Sequence, residues 1–173
     1  MKKHKEISRV GAEHKFKGGL ANDNEKTTML HTATHLMLAG LRKYLGENVK
    51  QAGSNITEER IRFDFTYPEK IEREILDKVE EYVNEAIQKK CKVTTEEMLK
   101  EDAVKKDISG SFWEKYPDTV TVYSVICKDG VVYSRELCGG PHIKNTGEIK
   151  GKFKIIKQKA SSAGVRRVKA VLE

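Results

Sequence analysis

Leu30, Ala33, Met37, Leu38, Leu41 and Leu45 recur at helical spacing and predict an amphipathic helix over 26–45. Gly46 stands where such a helix stops. Over 60–65 the period changes to two. Ile61, Phe63 and Phe65 alternate with Arg62 and Asp64, a strand pattern. Ile71, Ile75, Val79, Tyr82, Val83 and Ala86 mark a second, longer helix, with Pro68 at its start and an end near residue 89. Residues 91–95 are β-branched and predict an extended segment, 96–105 a short helix, and 109–113 a loop. Two strands follow at 119–127 and 131–137, joined by the hairpin signal Asp129-Gly130. Two more are predicted at 152–157 and 165–172. Helix, strand, helix and then a run of strands reads as α+β, a largely antiparallel sheet packed with two main helices. Residues 1–25 are basic, broken by Gly11, Gly18 and Gly19, and carry no sustained period. They read as a lead-in or linker before one domain over 26–173.

The chain has 173 residues, enough for one real core. Lys and Arg number 33 against 26 Asp and Glu, a net charge of +7. That surplus suggests a polyanionic partner, nucleic acid first, although a solubilising surface gives the same number. No apolar run approaches the roughly 20 residues of a membrane span. The start is basic with no apolar region behind it, so no secretory signal is expected. Cys91, Cys127 and Cys138 are an odd, sparse set that argues against a disulfide framework, and the expected compartment is the cytoplasm.

The sharpest chemical signal is a pair of pairs. His31 and His35 are four residues apart, on one face of the first predicted helix. The second pair is Cys138-Gly139-Gly140-Pro141-His142, where two glycines and a proline turn the chain tightly between a thiol and an imidazole. Three imidazoles and one thiolate suit a single zinc ion, held between a helix and a strand-loop. The general-base Glu that a peptide-cleaving zincin carries after its first His is missing, because position 32 is Thr32. Four protein ligands also make the closed pattern of a structural site.

Six blocks in order then resemble the editing domain of alanyl-tRNA synthetases, the free-standing AlaX trans-editing proteins and, more distantly, the editing domain of threonyl-tRNA synthetases. They are His31-Thr32-Ala33-Thr34-His35-Leu36, Gln51-Ala52-Gly53-Ser54, Arg62-Phe63-Asp64-Phe65, Glu136-Leu137-Cys138-Gly139-Gly140-Pro141-His142, Asn145-Thr146-Gly147-Glu148-Ile149 and Ala163-Gly164-Val165-Arg166-Arg167. The lead-in Lys15-Phe16-Lys17-Gly18-Gly19-Leu20-Ala21 is similar to the segment before this domain in full-length alanyl-tRNA synthetases. Pro141 departs toward the threonine-specific relatives.

The resemblance implies zinc-dependent hydrolysis of mischarged aminoacyl-tRNA, Ser-tRNA(Ala) and Gly-tRNA(Ala) first. Ser-tRNA(Thr), or an RNA-binding module with structural zinc, are the alternatives. It implies that His31, His35 and His142 bind the metal, and that Cys138 is a fourth ligand or a looser one that yields to water. Thr34 and Gln51 would shape the amino-acid pocket. Gly164, Arg166 and Arg167 would meet the acceptor end of the tRNA. Lys144, Lys150, Lys152, Lys154, Lys157 and Lys159 form a candidate track for its backbone. Asp64 and Glu136 are open between general bases and partners of the ligand histidines.

Overall fold

A computed structural model describes residues 24–106, 108, 116–138 and 140–173. The lead-in over 1–23, the predicted loop at 109–113 and Gly139 lie outside the described residues. The first helix, α1, runs Glu25–Leu45. Asn24 caps it: its side chain accepts from the Thr27 amide, and the Thr27 hydroxyl accepts from the Asn24 amide, 3.0 Å each. This reciprocal box satisfies two donors that a helix start otherwise leaves orphaned. α1 is buried almost all round, as befits a helix inside the core rather than on it. Its polar residues Thr27, His31, Thr32, Thr34 and His35 are buried with the apolar ones. Gly40 lets the next helix come close, since a Cβ there would stand 3.2 Å from both Tyr82 and Val79.

The strands form two antiparallel sheets rather than one. β1 (Gln51–Ile56), β2 (Ile61–Thr66), β7 (Val165–Leu172) and β6 (Phe153–Ser162) make the larger, in that spatial order. β3 (Lys92–Leu99), β4 (Thr119–Ile126) and β5 (Val132–Leu137) make the smaller. β1 carries no apolar alternation and was not readable as a strand; pairing with β2 makes it one, with a register shift at Gly53. The main core joins Leu36, Met37 and Leu41 of α1 to Phe63, Phe65, Phe153, Ile155, Val168 and Ala170 of the larger sheet. Tyr123 and Val125 of β4 enter it from the smaller sheet. Val120, Val122 and Leu137 pack on that sheet's other face with Ala103 of α3 (Lys100–Lys105).

Three predicted boundaries are corrected. The strand predicted over 152–157, β6, runs on to Ser162, which pairs with Val165 of β7. The second helix, α2, starts at Arg73 and ends at Gln88, not at Pro68. The Gln158 amide donates to the Ile71 carbonyl (2.6 Å) and its oxygen accepts from the Ile71 amide (3.0 Å). Ile71 is thereby held outside the helix, and the first helical bonds run to the Glu72 carbonyl. The helix predicted over 96–105 shrinks to 100–105, because Glu96, Glu97 and Met98 pair with Val122, Thr121 and Val120 of β4. Cys91 and Cys127, expected to be unpaired, form a disulfide at the open end of β3 and β4. Among the described residues no helix is long and apolar enough to cross a membrane.

Candidate metal centre

His31 and His35 point from one face of α1 toward the loop that follows β5, which brings Cys138 and His142. The four donor atoms lie within 4.8 Å of one another. His35 Nε2 is 3.3 Å from His31 Nε2. Cys138 Sγ is 3.5 Å from His31 Nε2 and 3.3 Å from His142 Nε2. The two pairs of the sequence therefore meet at one point, and this cluster could hold a metal ion.

What surrounds the donors fixes which nitrogen each ring presents. His31 Nδ1 meets the Pro141 carbonyl at 2.9 Å. His35 Nδ1 meets the Glu136 carboxylate at 3.1 Å. His142 Nδ1 meets the Thr32 hydroxyl at 3.1 Å. Every imidazole thus spends Nδ1 on an outside partner and turns Nε2 inward, the arrangement that orients histidine ligands around metals. The Tyr123 ring stacks on His142 at 3.9 Å between centroids and closes the site from β4.

The cluster and Glu136 are a compact set of opposite charges. Burial would push the Cys138 thiol up; the His35 charge and hydrogen bonds from His142, His31 and His35 overcome it and bring it down to about 2. Burial would likewise lower His35, but the Glu136 and Cys138 charges raise it to about 10. His142 follows its burial and falls to about 4. A thiolate and a neutral His142 are ready for a cation; His35 carries a proton that a metal must displace.

Other predicted residues are scattered. The Thr34 hydroxyl, buried, donates to the Leu30 carbonyl at 2.7 Å, the ordinary bond of a helical threonine. Gln51 donates to the Ser54 hydroxyl at 3.2 Å. It lines a cavity of about 570 Å³ together with Leu38, Arg42, Tyr116, Arg135 and Glu136. None of the four donors lines that cavity, which adjoins the cluster through Glu136 and Leu137. Of the two open carboxylates, Glu136 backs His35. Asp64 instead takes Arg167 in a two-pronged bond of 2.7 and 3.0 Å. Gly164 makes the β6–β7 turn at φ 71°, and Arg166 donates to Gln158 at 3.0 Å. Neither arginine bonds to any of the four donors. The six lysines are all exposed, and Lys154 is paired with Glu173 at 3.0 Å. Thr32 and the Pro141 carbonyl were missed as orienting groups. The signal for Thr32 was its place beside His31, but its partner lies 110 residues away.

A His/His/Cys/His cluster that could hold a metal ion, its histidines on the core helix buried and Cys138 and His142 half-buried on a strand-loop, on an α+β frame of antiparallel sheets, defines the class of domain. Residues 120–169 match the family described as the threonyl and alanyl tRNA synthetase second additional domain. The chain is 51% identical over 171 residues to an alanine–tRNA ligase of Borrelia hermsii, covering 99% of this chain and 28% of the ligase. An alanine–tRNA ligase of Treponema denticola is 51% identical over 172 residues, with the same two shares. That of Fervidobacterium nodosum is 44% identical over 164 residues, covering 94% of this chain and 18% of the ligase. Residues 120–169 thus resemble the threonyl and alanyl tRNA synthetase second additional domain, and the chain, similar to alanine–tRNA ligases over nearly all of its own length, spans about 28% of the length of the first relatives it matches.

Proposed function

We propose that this chain is a zinc-dependent proofreading module that hydrolyses the ester of mischarged aminoacyl-tRNA, Ser-tRNA(Ala) first and Gly-tRNA(Ala) second. The observation that carries this reading is the inward-facing set of three Nε2 atoms and one thiolate. Tetrahedral zinc, with bonds of about 2.0–2.1 Å to nitrogen and 2.3 Å to sulfur, needs donor separations of about 3.4 Å (N–N) and 3.6 Å (N–S). Three of the six donor separations, 3.3, 3.5 and 3.3 Å, match those edges, and all six lie within 4.8 Å. When bound, zinc would supply a Lewis acid against the charge that develops on the ester carbonyl oxygen.

The chain's own residues do the rest. Pro141, Glu136 and Thr32 hold the three rings in register. Thr34 has already given its proton to Leu30, so its oxygen can only accept. A serine hydroxyl can donate to it; an alanine methyl would cover it with no donor to offer, whereas glycine leaves it open to water. A pocket built for alanine cannot strongly reject glycine or serine, so a second site must read what the first cannot. The alanine assignment is favoured over the threonine one by the names of the matching ligases and by the role of Pro141. That residue acts through its backbone carbonyl, a group every residue type supplies.

A second reading has one observation behind it: four protein donors can close a tetrahedron and leave zinc structural, in a module that binds RNA without chemistry. Deacylation assays with Ser-, Gly-, Ala- and Thr-charged tRNAs separate the readings. Hydrolysis of Ser-tRNA(Ala) and Gly-tRNA(Ala), with Ala-tRNA(Ala) spared, is expected. A zinc-loaded chain that cleaves none of these esters would leave the structural reading, and preference for Ser-tRNA(Thr) would leave the threonyl one.

A further inference from the structure

The larger sheet has two unlike faces. Phe63, Phe65, Val168 and Ala170 turn inward to the core. On the reverse face the register sets Arg62 opposite Lys169 and Lys169 opposite Lys157. One step along, Arg167 stands between Asp64 and Lys159. Adjacent strands lie about 4.8 Å apart, so Arg62, Lys169 and Lys157 form a row of directly opposed like charges. Such pairs destabilise a sheet. Arg60, Arg62, Lys157, Lys159, Arg167 and Lys169 together line a groove of about 210 Å³ whose lining holds no carboxylate and no apolar side chain.

Arg167 is answered by Asp64. The Arg60 guanidinium donates to the neutral Asn55, at its carbonyl and its side-chain oxygen, 2.8 Å each. Among the described residues, no ion pair engages Arg60, Arg62, Lys157, Lys159 or Lys169. The Nε of Arg62 is buried with no hydrogen-bond partner. The row is repulsive alone and becomes favourable when a chain of anions spans it.

The geometry points to this groove as the docking surface for the phosphate backbone of an RNA. A narrow cleft of cations with no apolar side chain suits phosphodiesters, and offers nothing to enter a lipid layer. The groove lies on the face turned away from α1. It therefore holds the body of the RNA rather than the acylated end, and contributes affinity without reading sequence. The naming of RNA as the polyanion rests on the function proposed above; the polyanion site rests on the register.

The test uses the whole chain and an uncharged short RNA duplex with a single-stranded 3′ end. Binding is followed by fluorescence anisotropy over a salt series. In the triple variant R62Q/K157Q/K169Q, affinity falls for all RNA sequences alike. The slope of log K against log salt becomes shallower by roughly 0.9 for each phosphate that the variant no longer neutralises. Its unfolding temperature stays at or above the original, since the removed neighbours repel. Lys169→Gln alone, an exposed single change at the centre of the row, gives about one such step of slope. Unchanged affinity and slope in K169Q and in a folded triple variant overturn the groove. So does preference of the unaltered chain for anionic phospholipid vesicles over RNA. The readout needs no ester, so an absence of hydrolysis with this binding behaviour would remove the proposed function and leave the groove standing.

Discussion

Glu136 backs the candidate metal centre without being one of its donors. Its carboxylate holds His35 by Nδ1, and Glu136→Gln keeps the shape while removing the charge. Partners of this kind are worth roughly 10–100-fold in metal affinity, and competition with a chromophoric chelator should read a loss in that range. The protonation state gives a second expectation. His35 is raised to about 10 in the metal-free protein, while Cys138 is already a thiolate and His142 already neutral at pH 7. The proton on His35 is then one that the metal must displace. Apparent affinity should fall as pH is lowered below about 9, and calorimetry in buffers of different ionisation enthalpy should count at least one proton released per ion. Thr34→Val keeps the helix and removes the acceptor. It should slow hydrolysis of Ser-tRNA(Ala) by roughly 5–150-fold, the worth of one buried hydrogen bond of 1–3 kcal/mol, and leave Gly-tRNA(Ala) nearly untouched. Equal losses on both esters would mean that Thr34 does not read the serine hydroxyl.

At the scale of elements, the loop carrying His142 is tied down by Thr146. Its buried hydroxyl donates to the Ala86 carbonyl at 2.6 Å and accepts from the Cys91 amide at 2.7 Å, joining α2, β3 and the loop. Thr146→Val orphans both groups and should cost about 1–3 kcal/mol in urea unfolding, with little change in m. The strongly periodic elements were legible: α1, β2, β4, β5 and β7 stand within a residue or two of where their patterns put them. The failures share a cause. β1 is polar and small, α2 starts late because Gln158 holds Ile71 from 87 residues away, and β3 runs through helix-favouring glutamates because β4 pairs with them. None of these long-range bonds leaves a trace in local period. The four donors were legible for the opposite reason. Two short spacings, i,i+4 on a helix and a glycine turn, each bring their own pair together, and only their meeting had to be found.

Across the whole molecule, a core helix buried between two sheets carries polar chemistry into the interior, where the surrounding hydrogen bonds fix it. The likeness to alanine–tRNA ligases extends over 99% of the chain, so it spans both the frame and the cluster. The disulfide between Cys91 and Cys127 was outside what three sparse cysteines could tell, since only the β3–β4 pairing brings those two together. Zinc-dependent hydrolysis is the central claim, and metal removal tests it most directly. The chain is stripped with a chelator, its folding checked by circular dichroism, and the rate on Ser-tRNA(Ala) followed as zinc is returned. A folded, metal-free chain without activity, whose rate recovers in proportion to zinc and saturates at one ion per chain, is the predicted result; an undiminished rate in the metal-free chain would contradict it.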